Sequence, residues 1–482
     1  MDIRSSLKKL PSVEKILGDE RVACRVVAGS RKGAARIARE AIARRRERIK
    51  AGEPTPSNER GMQEAIVAEV VSELAMLSAV AARRVINATG VVLHTNLGRA
   101  VLGEEARAAI DAAAAGYGDL EVDLASGERV ERGRRAGRLL SLITGAEDAL
   151  VVNNNAAAIL LAVRTIAGEG GVAISRGELV EIGGSFRLPE ILEAAAGRVI
   201  EVGTTNRTHL ADYERSVRAG AKLLLKVHTS NYRVVGYTND VALGDLAALA
   251  RRARVPLMYD QGSGVLRALR LAGIAGEECI EDALSSGVDL VSFSTDKVLG
   301  APQGGAIVGR ARLIGKMKRN HLSRALRVDK LRLAGLERVL AHYWEGTLDG
   351  VPAYRMITEP AASVRARAER IAARVAERAA GGRVTVEDSE SSIGGGSYPI
   401  NPLPTAVVRI TVAAGSADKL ARTLRGGSPA VMVRVKGNAI LIDPRTVLEG
   451  EVGSGQNKIE IDMAGVGTIT LEGMDSNRLS NR

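Results

Sequence analysis

Ser294-Thr295-Asp296-Lys297, running on into Val298-Leu299-Gly300-Ala301-Pro302-Gln303-Gly304-Gly305, decides how this chain is read. The apolar run 288–293 that leads in reads as a buried strand, and a Gly/Pro-rich turn follows. Lys297 is therefore expected in a loop at the carboxyl end of a strand, where open α/β sheets place their ligands. An amine held there away from water loses its proton more easily and can form a Schiff base with an aldehyde.

A lone lysine in such a flank is most often a solvated surface charge. A second stretch changes the weighing. Val255-Pro256-Leu257-Met258-Tyr259-Asp260 is another apolar strand that ends in a carboxylate, followed by the turn Gln261-Gly262-Ser263-Gly264. A carboxylate paired with a pyridinium nitrogen keeps it protonated, which lets the ring of pyridoxal 5'-phosphate (PLP) act as an electron sink. A strand-end Asp some tens of residues before a strand-end Lys is the usual order in the large aminotransferase-like PLP fold, and the pair is much more specific than either half. Asn153-Asn154-Asn155 precedes the apolar helix expected at 156–166. Free backbone N–H groups and the helix dipole meet at that junction, which makes a phosphate cup; the plain alternative is an ordinary N-cap. His228 closes a further strand in Lys226-Val227-His228-Thr229-Ser230-Asn231-Tyr232 and is expected to face the cofactor ring. The expected cofactor-binding set is thus Lys297, Asp260, Asn154, Asn155, His228, Ser263 and Ser294.

Bulk composition bounds the rest. A chain of 482 residues can bury a large core and should form two or three domains. Aromatics make up only 2 %, so Ala, Leu, Val and Ile must fill that core. Cys24 and Cys279 have no metal-like spacing, so no metal site is expected, and a reducing compartment is. No apolar run approaches the ~20 residues of a membrane span, and the start MDIRSSLKKLPSVEKIL lacks an apolar signal core. A cytoplasmic protein with no membrane association is the expectation. The net charge is +12, and residues 1–50 hold 15 Lys/Arg against 6 Asp/Glu. A concentrated basic segment is the footprint of a polyanion binder, or else a solvated helix face.

Along the chain, residues 1–83 read as a helical basic domain, with helices at 31–50 and 64–82 separated by the breaker cluster 52–58. Its lack of aromatics argues for phosphate contact rather than base stacking. Residues 84–350 read as one large α/β domain of mostly parallel sheet, with strands at 149–152, 172–174, 199–202, 223–227, 257–259, 290–293 and 305–308. Near its start Asn87, His94, Asn96 and Arg99 cluster in one stretch. The loops 175–189, with Arg176, Glu178, Glu181, Arg187 and the pair Gly183-Gly184, and 203–209 look like site loops. Arg324 and Arg327 share a helix face suited to a phosphate-like substrate, or simply to solvent. Residues 351–450 read as a small α+β domain with a helix at 361–380 and strands at 384–387, 406–412 and 431–443. Residues 451–482 read as a tail with an extra hairpin.

Taken together these segments resemble the bacterial selenocysteine synthase family, the L-seryl-tRNA(Sec) selenium transferases. The resemblance spans about residues 8–448 and rests on LPSVEKIL, INATGVVLHTNLGRA, ALVVNNNAAAILL, SRGELVEIGGSFRLPE, KVHTSNYRVVGYT, DQGSG, STDKVLGAPQGG, SRALRVDKL, ESSIGGGS and IDPRTV. It implies a type I PLP-dependent transferase fold in ring-shaped homo-oligomers, decamers by analogy, with active sites between subunits. It implies that seryl-tRNA(Sec) docks on the N-terminal domain and that selenophosphate donates selenium to an aminoacrylate left by loss of the serine hydroxyl. DNA is not an expected partner. Lys297 would be the catalytic lysine with Asp296 assisting proton transfer, and Arg324, Arg327, Arg129 and Arg132 would bind substrate. Three departures stand out: Gln261 where the family has Leu, Thr295 where it has Gly, and Gly133-Arg134-Arg135 where the GxRGxR stretch continues into His-Asp-His. The competing readings are a diverged paralogue, a PLP-dependent lyase or transferase of a small amino substrate, and a non-catalytic tRNA-binding relative.

Overall fold

The computed structural model describes residues 3–27, 30–56, 58–78, 82–182, 186–232, 234–274, 276–376, 382–398, 402–412, 416–448, 451, 454–463 and 467–473. The chain divides into two compact units, Met1–Arg84 and Val85–Arg482.

The first unit is helical. Its long helix Arg31–Lys50 buries Ala34, Ile37, Ala38, Ala41, Ile42 and Ile49, a three-four-seven spacing that makes one apolar stripe. That stripe packs on Met62, Ile66, Val67 and Val70 of the helix Glu59–Ser78. This second helix starts five residues before the expected 64, because Asn58 Oδ1 accepts from the Gly61 N–H and caps it. The opposite face of Arg31–Lys50 stays basic. Of its nine Lys/Arg, Lys32, Arg39 and Arg46 are exposed and make no ion pair among the described residues.

The second unit is built on two sheets. In chain order the strands are β1 (Val85–Ala88), β2 (Asp148–Val152), β3 (Val172–Ser175), β4 (Glu181–Ile182), β5 (Phe186–Arg187), β6 (Val199–Val202), β7 (Leu223–Val227), β8 (Leu257–Gly262), β9 (Leu290–Ser294), β10 (Gly305–Gly309), β11 (Arg383–Ser391), β12 (Leu403–Thr411), β13 (Ala430–Lys436), β14 (Ala439–Ile442), β15 (Ser454–Met463) and β16 (Gly467–Gly473). Seven of them form the large sheet in the order β2-β10-β9-β8-β7-β3-β6. β9, β8, β7, β3 and β6 run parallel, and β10 is antiparallel to both its neighbours. Each strand of the sequence reading is present, lengthened by at most three residues. They are short continuous apolar runs because both faces are covered: Leu223 and Leu225 enter one core cluster and Leu224 the other. The carboxyl ends of β2, β7, β8 and β9 share one edge, and Val227 lies opposite Asp260, which lies opposite Ser292.

The small sheet has the order β1-β13-β14-β12-β11. Two features differ from the sequence reading. β1, read with the large α/β domain, pairs in parallel with β13, from Val85 opposite Ala430 to Ala88 opposite Val433. The 431–443 stretch is a hairpin, β13 and β14, turning at Gly437 with φ +60°. The expected helix at 361–380 is described as Ala361–Ala376. β15 and β16 pair antiparallel, Ile459 opposite Leu471.

The fully buried Asp443 ties the small sheet together. Its carboxylate accepts from Ser391 Oγ (2.7 Å), Thr405 Oγ1 (3.1 Å), Arg434 Nη2 (3.1 Å) and the Arg445 N–H (3.1 Å). Asp443→Ala should lower the unfolding free energy by about 3 kcal/mol, since it strands two hydroxyls and a cation, and Ser391→Ala by about 1 kcal/mol. Denaturant midpoints check both; equal losses would contradict the shared-carboxylate account.

Candidate active site

Lys297 follows β9 in a turn whose backbone is tied on both sides. Thr295 N–H donates to Gly304 C=O (3.0 Å) and Val298 N–H to Ser263 C=O (3.1 Å). At Gly264, with φ +77°, a Cβ would stand 2.6 Å from Ser294 C=O, so the β8 and β9 turns interlock only with glycine there. The result is a lysine only 6 % exposed on the wall of a cavity of about 440 Å³. Burial, and then the nearby Arg99 guanidinium, lowers the Lys297 pKa; Asp260, Asp296 and Glu277 oppose the shift.

Asp260 lies on the same wall. A bulge between Asp260 and Gly262 lets two β8 residues face one of β9. Asn155 Nδ2 (2.8 Å) and Ser292 Oγ (3.0 Å) both donate to Asp260 Oδ1. Burial pushes the Asp260 carboxyl above the usual range, and those two hydrogen bonds, then the charge of Lys297, pull it back. Asp296 is held by Arg99, Nη1 to Oδ2 at 2.8 Å. Arg99 itself sits at φ 64°, in the 95–99 turn that brings Thr95 and Gly98 to the cavity.

The cavity brings together Lys297, Asp296, Asp260, Asn154, Asn155, His228 and Ser294. Asn154 caps the helix Asn155–Ile166 by accepting from Ala157 N–H (2.9 Å), and a Cβ on Gly305 would stand 2.1 Å from its carbonyl. The Asn155 side chain turns to Asp260 instead of the helix mouth. Ser263 does not line the cavity; it is buried behind it, donating to Glu277 Oε2 at 2.5 Å. Thr295 points away from the cavity, its hydroxyl donating to Pro302 C=O at 2.5 Å. Gln261 is buried, accepting from Gly264 N–H (2.7 Å) and donating to Ser263 Oγ (2.6 Å).

Arg129, Arg132, Arg324 and Arg327 line a second cavity of about 270 Å³. They gather around Glu121, which meets Arg132 Nε at 2.7 Å, Arg129 Nη2 at 2.9 Å and Arg327 Nη1 at 3.5 Å. This cavity borders the end of β2, since Asn153 N–H donates to Leu326 C=O (2.9 Å). In the altered segment, Glu131 meets Lys318 (3.3 Å) and Arg134 meets Asp123 (3.3 Å). Of the other polar loops, Arg176 pairs with Glu201 and Arg187 with Glu181, both at 2.7 Å and exposed. Glu178 is buried against Lys226 (3.1 Å), its pKa raised by burial to about 7. Gly183 and Gly184 lie outside the described residues. Asn87 shapes its own turn, donating to Val91 C=O (3.0 Å).

Sequence reasoning missed Ser292, Glu121 and Glu277. A signal existed for Ser292, which alternates with Ser294 in an otherwise apolar strand. The two carboxylates meet their partners only across the fold.

Sheet order and the adjacent placing of a buried amine and a buried carboxylate put the chain in the type I PLP-dependent transferase class. The solved structure of D-glucosaminate-6-phosphate ammonia-lyase shares this fold with a TM-score of 0.55 at 23 % identity, over 77 % of this chain and 93 % of that one. The sequence model of the SelA family, L-seryl-tRNA selenium transferase, matches residues 85–448. The L-seryl-tRNA(Sec) selenium transferase of Geobacter sulfurreducens is 42 % identical over 92 % of this chain and 96 % of its own length. That of Moorella thermoacetica is 47 % identical over 77 % of this chain and 79 % of its own. The chain belongs to the L-seryl-tRNA selenium transferase family.

Because burial raises the Asp260 pKa in the fold, its ionised form opposes folding at every pH above the ordinary carboxylate range. Asp260→Asn should therefore raise the melting temperature of PLP-free protein at pH 7 while weakening PLP uptake. The gain should fade as the pH falls toward about 4. A lower melting temperature at pH 7 would contradict the dominance of burial.

Proposed function

We propose that this chain acts as an L-seryl-tRNA(Sec) selenium transferase: selenium from selenophosphate replaces the hydroxyl of tRNA-borne serine, and phosphate is released. The observation that carries the reading is a family match over residues 85–448 that includes every element of the Lys297–Asp260 cavity. The lyase alternative has support from the fold alone.

The residues present fit PLP. Asp260 is buried at the cavity wall with only Oδ1 hydrogen-bonded, and Asn155 Oδ1 is buried without a partner. The Asn154 cap takes the Ala157 N–H, and the first helical residues Asn155 and Ala156, whose N–H groups have no partner within the helix, line the cavity where a phosphate would sit. When bound, PLP supplies an aldehyde for amines and a ring that withdraws electrons. Lys297 would provide the amine that holds it and, when free, would take the Cα proton at Nζ. The lowered Lys297 pKa favours the neutral amine both tasks require. Asp260 would keep the ring nitrogen protonated, and Asn155 and Ser292 hold that carboxylate in place. Asp296, braced by Arg99, helps move the proton to the departing hydroxyl. His228 lines the cavity at the end of β7, where it would meet the ring, and Ser294 lines it beside the lysine turn.

Arg324, Arg327, Arg129 and Arg132 bind the selenium-donor anion, with Glu121 as the internal counter-ion it displaces. The unpaired cations Lys32, Arg39 and Arg46 dock the tRNA backbone. Exposed Tyr117 and Leu124 offer contact area to a second copy in a ring-shaped homo-oligomer. No helix among the described residues is long and apolar enough to cross a membrane, which agrees with a cytoplasmic site of action.

Single-turnover conversion of seryl-tRNA(Sec) with selenophosphate by PLP-loaded protein should yield selenocysteinyl-tRNA. Lys297→Ala should abolish both product and the near-visible absorbance of lysine-bound PLP; persistence of that band would remove the lysine assignment. Deleting residues 1–84 should weaken tRNA binding and flatten its salt dependence while PLP still binds. Unchanged affinity at physiological salt would remove the docking assignment.

A further inference from the structure

His228 reaches the cavity with its side chain 22 % exposed, yet its Nε2 is buried and makes no hydrogen bond. Glu277 Oε1 stands 3.4 Å from that nitrogen. The Glu277 side chain is 2 % exposed and anchored from behind. Its Oε2 accepts from Ser263 Oγ at 2.5 Å, and Gln261 Nε2 lies 3.5 Å away. Its Oε1 accepts from the Tyr398 N–H, at the end of the glycine-rich 391–397 loop. One carboxylate therefore meets the β7 end, the β8 turn and a loop from the small sheet. Ser263 in turn carries the Lys297 turn through its C=O.

We infer that Glu277 is a positioning residue: its anchored carboxylate, 3.4 Å from Nε2, sets the His228 imidazole against the cavity and so acts on the cofactor without touching it. The inference rests on the PLP reading above. A carboxylate with one oxygen engaged by the buried Ser263 hydroxyl and the other by the Tyr398 backbone N–H has little room to follow the imidazole, so the imidazole must follow it. Gln261 strengthens the anchor, because its amide braces the Ser263 hydroxyl that grips Glu277. A leucine there would leave Ser263 with one partner fewer and the Gly264 N–H without its acceptor.

The test is a double-mutant cycle read by PLP binding and by the visible circular dichroism of bound PLP, which reports ring orientation. Glu277→Gln should weaken PLP binding about tenfold and reduce the dichroic band. The same substitution in a His228→Ala background should change neither reading further, because the residue it acts through is gone. Ser263→Ala, which removes one hydroxyl only, should give a smaller effect of the same sign and keeps the test open if Glu277→Gln fails to fold. Equal effects of Glu277→Gln in both backgrounds, or none in the wild-type background, would overturn the inference while PLP uptake stands. No PLP uptake by the unmutated chain would overturn the cofactor reading and this inference with it.

Discussion

An amine and a carboxylate buried at one edge of an apolar sheet are the constraint on which the rest of the second unit depends. Taking an ion out of water costs roughly several kcal/mol even after relaxation. Lys297 and Asp260 are both under a tenth exposed, so the fold must either compensate their charges or hold them near neutrality. It does some of each. Asn155 and Ser292 hydrogen-bond Asp260, and burial with Arg99 drives Lys297 toward its neutral form. Four strands ending at this edge each carry one part of the arrangement: β2 leads to Asn154 and Asn155, β7 to His228, β8 to Asp260 and β9 to Lys297.

The backbone is arranged to the same end. The β8 bulge, the glycine at 264 and the glycine at 305 each permit an approach that a side chain would block. The antiparallel β10 returns the chain beside β9, so the 295–304 turn is closed by its own hydrogen bonds. Thr295 fits this turn because its hydroxyl finds the Pro302 carbonyl and leaves the cavity clear. The departure at Gln261 is likewise absorbed, as a buried amide with both ends bonded is tolerated where an unpaired one would not be.

A second cluster of charge lies apart from the lysine. Four arginines line one cavity, and three of them pair with Glu121. Like charges so close need an internal counter-ion, and an arriving anion can take its place. The N-terminal helix Arg31–Lys50 makes a different use of arginine, spreading it along an exposed face opposite an apolar stripe. Clustered arginines suit one compact anion, and a spread face suits a polyanionic backbone.

The strands of the large sheet, the two strand-end residues and the basic helix were legible from residue order, because burial on both faces writes a strand as a continuous apolar run and a helix stripe repeats every three or four residues. Lys297, Asp260, Asn154 and His228 were legible for the same reason: each ends an apolar run or starts a helix. Pairings that join distant segments left no such trace. Nothing local in Val85–Ala88 says that it belongs beside β13, some 340 residues on, since a four-residue apolar strand fits either sheet. Nor does the neighbourhood of Glu277 or Glu121 mark either carboxylate, because an acidic residue reads as surface until the fold brings a serine, a histidine or three arginines against it. Local order sets periodicity and turn chemistry; side-chain partners are chosen by packing across the sheet edge, where hydrogen bonds must be completed out of water.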